Sequence, residues 1–328
     1  MPYLSLVKYK KILGILLIPT LFFLGFLVGK NTAPHEDSRV EIREKGYKYI
    51  SPLLDYEVGS SVLQGDIISL KQKIEDYIED QYEQADVTHI SVYFRDLYNG
   101  PVFGINEKEA FTPASLLKVP ILIAVFKSAE KDPGILLKKI PNIRIEDGVL
   151  QNITPANSLT EGAEYTISDL ARYMIVYSNN QAKNLLITHT PNDDLDRVYK
   201  DFGMNIPGVV SINDFMTVKN YAAFFRILFN ASYLNKSMSE QALELLSQTQ
   251  YNKGIVVGVP QSIIVSHKFG EREENGIKQL HDCGIVYFPN KPYLVCIMTR
   301  GDDWDRLAGV IATISRMVYE GVGQKSGD

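Results

Sequence analysis

The chain has 328 residues, of which 45% are hydrophobic and 22% charged, and its formal net charge is −5. These proportions are typical of a globular protein with a substantial core, and they exclude a largely disordered chain and a multi-pass membrane protein. Lysine and arginine are scattered among the acids, whereas binding to a phosphate backbone needs clustered basic residues. Nucleic acid is therefore not expected as a partner.

An uncharged apolar run covers residues 12–29, which is long enough for a helix to cross a bilayer core of about 30 Å. Lysines precede the run and acids follow it, so the positive-inside rule places residues 1–11 in the cytoplasm and the rest outside. We therefore predict a single-pass membrane anchor with an extracytoplasmic domain. A cleaved signal peptide is the alternative, which the following VGKNTAP disfavours because it lacks an A-x-A-like site.

The segment after the anchor, residues 30–60, is polar and has no sustained period, which predicts an extracytoplasmic stalk. Residues 65–82 then carry apolar side chains at helical spacing. Residues 89–97 alternate apolar and polar side chains, and Asn99 and Gly100 supply a turn before the next apolar pair. An amphipathic helix followed by two antiparallel strands is expected.

The remaining chain completes one domain, predicted over residues 61–320 with a short tail at 321–328. Residues 111–255 are mainly helical in pattern, residues 262–300 return to short apolar strands, and residues 303–320 form another amphipathic helix. The simplest assembly is an α+β fold. An antiparallel sheet from both ends of the domain is covered by the terminal helices and flanked by an all-helical insertion.

Cysteine and histidine give little sign of a metal or redox site. The five histidines show no HxH, HxxxH or HExxH spacing, so neither a metal nor a cofactor is predicted. Cys283 and Cys296 flank the PNKP turn of one predicted hairpin. Two interpretations stay open for them, a pair of buried thiols or a cross-strand disulfide.

The first pattern with chemical meaning is Ser115-Leu-Leu-Lys118, which opens the apolar helix LLKVPILIAVF. A lysine one turn after a serine lies on the same helical face, and burial lowers a lysine's pKa, so its neutral amine can activate the hydroxyl. The alternative is a capping serine with a lysine that extends to the surface. The same spacing recurs at Ser128 and Lys131, in the charged helix end KSAEK.

Two further patterns follow in order. Ser178-Asn-Asn180 interrupts two helical segments, so its side chains are expected in a cleft; the alternative is a polar turn that ends a helix. Lys268-Phe-Gly270 continues an apolar strand, and its glycine would let another chain or a substrate approach the backbone. Its alternative is a bulged edge strand with a solvated lysine.

Taken in order, the three patterns resemble the S-x-x-K, S-D-N and K-T-G of class A serine β-lactamases and related penicillin-binding proteins, over roughly residues 85–320. The flanking segments NEKEAFTPASLLKVPIL and MIVYSNNQAKNLL also resemble the family. This resemblance implies a helical domain beside an α/β domain with a five-stranded antiparallel sheet. It implies no cofactor.

The resemblance also implies roles for the matching residues. Ser115 would form the acyl-enzyme, and Lys118 would take its proton. Ser178 would relay a proton to the leaving nitrogen with electrostatic support from Lys268. The Asn180 amide and the strand at Gly270 would bind the substrate. The backbone N–H groups of Ser115 and Glu271 would form the oxyanion hole.

The sequence departs from the family pattern at three points. The middle residue of S-D-N is Asn179, and Phe269 replaces the hydroxyl residue expected to bind the substrate carboxylate. The third departure is a missing glutamate, which in class A enzymes activates water for deacylation. The corresponding stretch has only aspartates as acids, namely Asp193, Asp194, Asp196, Asp201 and Asp214.

We therefore expect a serine hydrolase that acts outside the membrane on β-lactams or on D-Ala-D-Ala-like cell-wall amides. Two alternatives stay open, a penicillin-binding peptidase with slow deacylation and a wall-binding pseudoenzyme. A third hypothesis, an unrelated hydrolase using His267 or His281 with an acid, has no GxSxG motif in its favour. The sequence does not specify an oligomeric state.

Overall fold

The computed structural model describes residues 38–59, 65–83, 87–98, 101–145, 151–190, 192–203 and 214–323. The predicted anchor at 12–29 lies outside these residues. None of the helices in the described ranges has the length and hydropathy that crossing a bilayer requires.

A five-stranded antiparallel sheet forms the centre of the domain, in the order β4-β3-β9-β8-β7. Its first two strands come from the start of the domain and its other three from the end, which confirms the predicted antiparallel sheet. The strands β8 and β9 are buried along almost their whole length because both faces of the sheet are covered. The strands are β3 (Val87–Asp96), β4 (Val102–Ile105), β7 (Val265–Glu274), β8 (Ile277–Val286) and β9 (Tyr293–Gly301).

One face of the sheet packs against the first and last helices described, α1 (Gly65–Glu83) and α8 (Trp304–Gly323). Both are amphipathic. Ile74 of α1 and Ile311 of α8 belong to the same buried cluster as the sheet residues of that face. This cluster includes Phe269 of β7, which is 4% exposed.

The other face packs against the helical part of the domain. Its central helix is α2, in which eleven of the fourteen residues are buried, because the sequence KVPILIAVF is apolar on every side. The helices of this part are α2 (Lys118–Lys131), α3 (Ile167–Val176), α4 (Asn180–His189), α5 (Asn192–Asp201), α6 (Val218–Phe229) and α7 (Lys236–Ser247). A two-stranded sheet, β5 (Lys139–Pro141) with β6 (Glu164–Thr166), lies before α3.

The segment predicted as a stalk is structured over its described part. It contains β1 (Ser38–Arg43) and β2 (Leu53–Gly59), which pair with each other. Between them, Tyr49 and Ile50 are buried in the core of the helical part, and the Glu240 carboxylate accepts their backbone N–H groups. Two adjacent apolar residues create no period, so the sequence pattern did not reveal this packing.

The two cysteines form a cross-strand disulfide between β8 and β9. Cys283 and Cys296 are directly paired in the register of these strands, and no described cysteine is free. The sequence left buried thiols and a disulfide as alternatives, and the structure contains the disulfide.

Candidate active site

Ser115 lies in a 3₁₀ turn, Ala114–Leu117, directly before α2. The turn is tight: Ala114 has a left-handed φ of 48°, which costs an alanine roughly 1 kcal/mol. Neighbouring groups hold this conformation, because the Leu116 N–H donates to the Pro113 carbonyl and the buried Tyr221 hydroxyl donates to the Leu116 carbonyl, at 3.0 Å. Ser115 is thereby presented, partly exposed, at the start of the most buried helix.

Lys118 is 1% exposed and joins the first two sequence patterns. Its Nζ lies 3.0 Å from Ser115 Oγ, 3.1 Å from Ser178 Oγ and 2.8 Å from Asn180 Oδ1. It also donates to the Ser178 carbonyl. These partners are uncharged oxygens. The amine is therefore placed to exchange a proton with either hydroxyl.

Ser178 stands at the break between α3 and α4, where its left-handed φ of 54° redirects the chain. The next residue, Asn179, is the N-cap of α4, and its side chain accepts the Ala182 N–H at 2.8 Å. The break therefore turns the Ser178 hydroxyl and the Asn180 amide towards Lys118, while Asn179 is used to begin the helix. Asn and Asp are about equally good N-caps, which explains why asparagine can occupy the middle position.

Lys268 on β7 approaches the same serine from the sheet. Its Nζ donates to Ser178 Oγ at 3.0 Å and to the Phe269 carbonyl at 2.9 Å. Burial lowers the pKa of Lys268 to about 7, against the opposing effect of the Asp282 and Glu271 carboxylates. Ser178 Oγ thus lies between two buried amines, and all three sequence patterns meet at one hydroxyl.

Gly270 lets β7 lie against the turn that carries Ser115. A Cβ at this position would be 2.7 Å from the Pro113 carbonyl oxygen and 2.9 Å from Leu116 Cγ, both closer than side chains tolerate. The sequence predicted that another chain segment or a substrate approaches the backbone at this glycine, and in the structure that segment is the turn containing Ser115.

The Glu271 N–H faces outward from the edge of the sheet. On β7 the His267 carbonyl accepts from Thr249 Oγ1 and the Phe269 carbonyl from the Lys268 side chain, so both carbonyls point away from β8. Outward groups recur every second residue along a strand. The carboxylate of Glu271 is bound by Asn152, whose N–H and side-chain amide donate at 2.9 and 2.7 Å. The backbone of Glu271 is available to the cleft, while its side chain is occupied.

A model of the Beta-lactamase enzyme family matches residues 69–322 of the chain. The chain belongs to this family. Beta-lactamase CTX-M-25 of Escherichia coli is 26% identical over 232 residues, which cover 65% of this chain and 77% of that protein. Beta-lactamase L2 of Stenotrophomonas maltophilia is 30% identical over 104 residues, a match that spans only 33% of that protein and 32% of this chain.

Solved structures of this family share the fold. A class A beta-lactamase from Mycobacterium abscessus superposes with a TM-score of 0.65 at 21% identity, covering 77% of this chain and 99% of that one. The acyl-enzyme complex of a PBP-A mutant with penicillin G superposes with a TM-score of 0.64 at 23% identity, covering 78% and 97%.

Within this beta-lactamase fold, the aspartates that follow the S-x-N segment are occupied elsewhere. Asp194 accepts hydrogen bonds from Ser128 Oγ and Lys131 Nζ, both at 2.6 Å. Ser128 stands ten residues after Lys118 on α2, about 15 Å along a helix that rises roughly 1.5 Å per residue. Burial raises the pKa of Asp194, but these two donors outweigh it and hold the pKa below its ordinary value.

The other described aspartates of this stretch are likewise exposed or bonded to groups other than Ser115. Asp201 is exposed and accepts the Tyr233 hydroxyl at 2.8 Å, and Asp196 is exposed. Asp214 accepts from Thr112 Oγ1 and Arg300 Nη2, both at 2.6 Å. The side chain of Asp193 and residues 204–213 are not among the described parts of the structure. Residues 204–213 contain no acid.

The two histidines of the alternative hydrolase hypothesis are buried and bound to other groups. His267 pairs with the Asp282 carboxylate at 2.9 Å. His281 Nε2 lies 3.1 Å from the Thr112 carbonyl, and its Nδ1 accepts the Thr299 N–H. Burial lowers the pKa of His281 to about 4, so it is neutral. Neither ring bonds to a hydroxyl, and the described residues hold no cluster of three or more metal-ligating side chains.

Two site residues had no signal in the sequence. Gln151 donates from Nε2 to the Ser178 carbonyl at 3.1 Å, and Asn152 binds Glu271 as described above. Together they connect the serine loop to β7. They belong to an irregular segment without a motif, and only the fold reveals their contacts.

Proposed function

We propose that the protein is a serine hydrolase that forms an acyl-enzyme with β-lactams through Ser115. Family membership supports this function, and one observation carries the assignment of the nucleophile. The buried amine of Lys118 lies within 3.1 Å of both the Ser115 and Ser178 hydroxyls. A partly exposed serine bonded to a buried amine is the arrangement that nucleophilic catalysis needs.

Acylation follows from this arrangement. With its amine neutral, Lys118 accepts the Ser115 proton while Oγ attacks the lactam carbonyl. The N–H groups of Ser115 and Glu271 stabilise the oxyanion, at about 3 kcal/mol for one such donor. When the C–N bond breaks, Ser178 gives its proton to the leaving nitrogen and is reprotonated by the Lys118 ammonium, which carries the proton taken from Ser115. The product is an ester on Ser115.

The fate of that ester favours the penicillin-binding alternative. Hydrolysis needs a base that activates water next to the ester, and the described aspartate side chains of residues 192–214 are exposed or bonded to other groups. We therefore propose slow release of the acyl group. A cell-wall amide of the D-Ala-D-Ala type is the corresponding candidate for a natural substrate.

We also propose that the domain acts outside the cytoplasm, anchored by residues 12–29. The charge pattern around that run supports this location, as does the disulfide, because stable disulfides are typical of oxidising compartments. Removal of residues 1–29 should move the protein from the membrane fraction to the soluble fraction. Cytoplasmic retention of the full chain would contradict the location.

Labelled penicillin G and intact-protein mass spectrometry test the nucleophile. One adduct per chain is expected in the wild type, mapped by peptide analysis to Ser115, and none in Ser115→Ala. The matched control is Ser128→Ala, which removes the serine of the second S-x-x-K and should label normally. An adduct that persists in Ser115→Ala would refute the assignment.

A further inference from the structure

A cavity of about 400 Å³ lies on the α8 side of β7. This volume falls within the range of small-molecule sites. Much of its wall is aromatic or aliphatic, including Tyr177, Tyr251, Phe269, Leu280 and Trp304. The cavity has had no part in the chemistry described so far.

The cavity adjoins the catalytic groups through one ring. Phe269 stacks on Tyr251 with ring centroids 4.2 Å apart, and both rings line the cavity. Lys268 Nζ lies 4.0 Å from the centroid of the Phe269 ring and 3.0 Å from Ser178 Oγ. A group bound in the cavity would therefore touch the ring on which the catalytic lysine rests.

The charges around the cavity do not favour an anion. Lys253 and Asp305, which line it, form an ion pair at 2.9 Å. Burial raises the pKa of the Tyr251 hydroxyl, and three nearby carboxylates raise it further, those of Asp282, Asp305 and Glu271. Among the described residues that line the cavity, Lys253 is the one cationic side chain, and its ammonium is already bound by Asp305. The lining therefore offers a carboxylate no cation that is not already paired.

The identity of residue 269 points the same way. The family pattern expects a hydroxyl here, as a donor to the substrate carboxylate, whereas Phe269 donates no hydrogen bond and fills the position with an apolar ring. Lys268 compensates only in part, since its pKa of about 7 leaves it partly neutral at physiological pH.

We propose that this cavity is a substrate subsite for an uncharged apolar or aromatic group, and that the protein selects against acyl donors with a carboxylate beside the scissile amide. The inference rests on the proposed function and specifies its substrate class. Phe269 is its specificity-determining residue.

Penicillin G and its methyl ester form a matched pair of acyl donors, one anionic and one neutral. In the wild type we expect the ester to acylate Ser115 roughly tenfold faster, because the carboxylate of the acid would lose its hydration beside Phe269 without gaining a hydroxyl donor. Phe269→Thr restores the hydroxyl and should reverse this order, while Phe269→Leu should keep it. Comparing ester-to-acid ratios between variants removes the difference in intrinsic reactivity.

A second measurement reports on the cavity without acylation. Trp304 is the only tryptophan of the chain, so its emission is an internal probe of the cavity. In Ser115→Ala, the methyl ester should change this emission at concentrations where the acid does not.

The outcomes separate the two proposals. Faster acylation by the acid in the wild type, or a ratio unchanged in Phe269→Thr, would overturn the subsite while leaving the hydrolase intact. Failure of both donors to acylate, with a Trp304 response to the ester alone, would refute the hydrolase and retain the subsite. No acylation and no response would overturn both.

Discussion

The two ends of α2 carry the same pattern, Ser-x-x-Lys, in two different environments. At the first end, Lys118 is buried and bonds to the uncharged oxygens of Ser115, Ser178 and Asn180. At the second, Lys131 has a side chain 56% exposed and forms an ion pair with Asp194, which also binds Ser128. Lys131 bonds to the Asp194 carboxylate, whereas Lys118 bonds to two hydroxyls, so the same pattern has a different chemical environment at each end of the helix.

The second end also bears on the fate of the acyl group. Asp194 lies in the stretch where class A enzymes carry their deacylating acid, and its carboxylate is used to fasten α5 to α2. In the proposed mechanism the site has the groups that form an ester, and the Asp194 carboxylate is bound where it does not contribute to releasing it.

The largest expected effect is that of removing the Lys118 amine at the first end of α2. Lys118→Ala removes the base, and the rate of acylation by penicillin G should fall about 10³-fold, within the range for general bases. Lys131→Ala is the matched control and should acylate within about twofold of wild type. The rate of adduct formation by mass spectrometry measures both, and normal acylation of Lys118→Ala would disprove the base.

A second effect concerns the buried charge of Lys268. Its pKa is about 7 in the fold and about 10.4 in the unfolded chain, so between these values the unfolded state binds more protons. Stability should therefore rise with pH across this window, by up to about 1.4 kcal/mol per pH unit. Urea unfolding of wild type and Lys268→Met at several pH values tests this, and equal slopes would contradict it.

A third change tests the role of Asp194 at the second end of α2. Asp194→Asn weakens a buried hydrogen bond to Ser128 and a part-buried ion pair with Lys131, and it should lower the free energy of unfolding by about 1–2 kcal/mol. The lifetime of the acyl-enzyme should stay the same, because this carboxylate is remote from Ser115. Denaturant unfolding and adduct decay measure the two quantities; a longer lifetime would identify Asp194 as the missing base.

The smallest expected effect is at the helix break. Asn179→Asp restores the family residue, and either residue caps α4. The free energy of unfolding should therefore change by less than about 0.5 kcal/mol, and the acylation rate by less than about twofold. A large gain in activity would show that the missing charge matters to the chemistry.

Apolar periodicity predicted the antiparallel sheet, and the three short patterns together with the family resemblance predicted most of the residues that meet in the site. Ser115, Lys118 and Ser178 could be selected because their neighbours form helices of recognisable period. The contacts of Gln151 and Asn152 join residues far apart in the chain, so no local sequence pattern could predict them. The burial of Tyr49 was missed for the same reason, and pairing of the cysteines needed the register of β8 and β9.

The most direct test of Ser115 as a slowly released acyl-enzyme is the decay of its penicillin G adduct. After brief labelling and removal of free drug, the adduct mass is followed with time. We expect one adduct on Ser115 that persists for many minutes. Absence of any adduct would contradict the nucleophile, and loss within seconds would show that the site contains an efficient base for release.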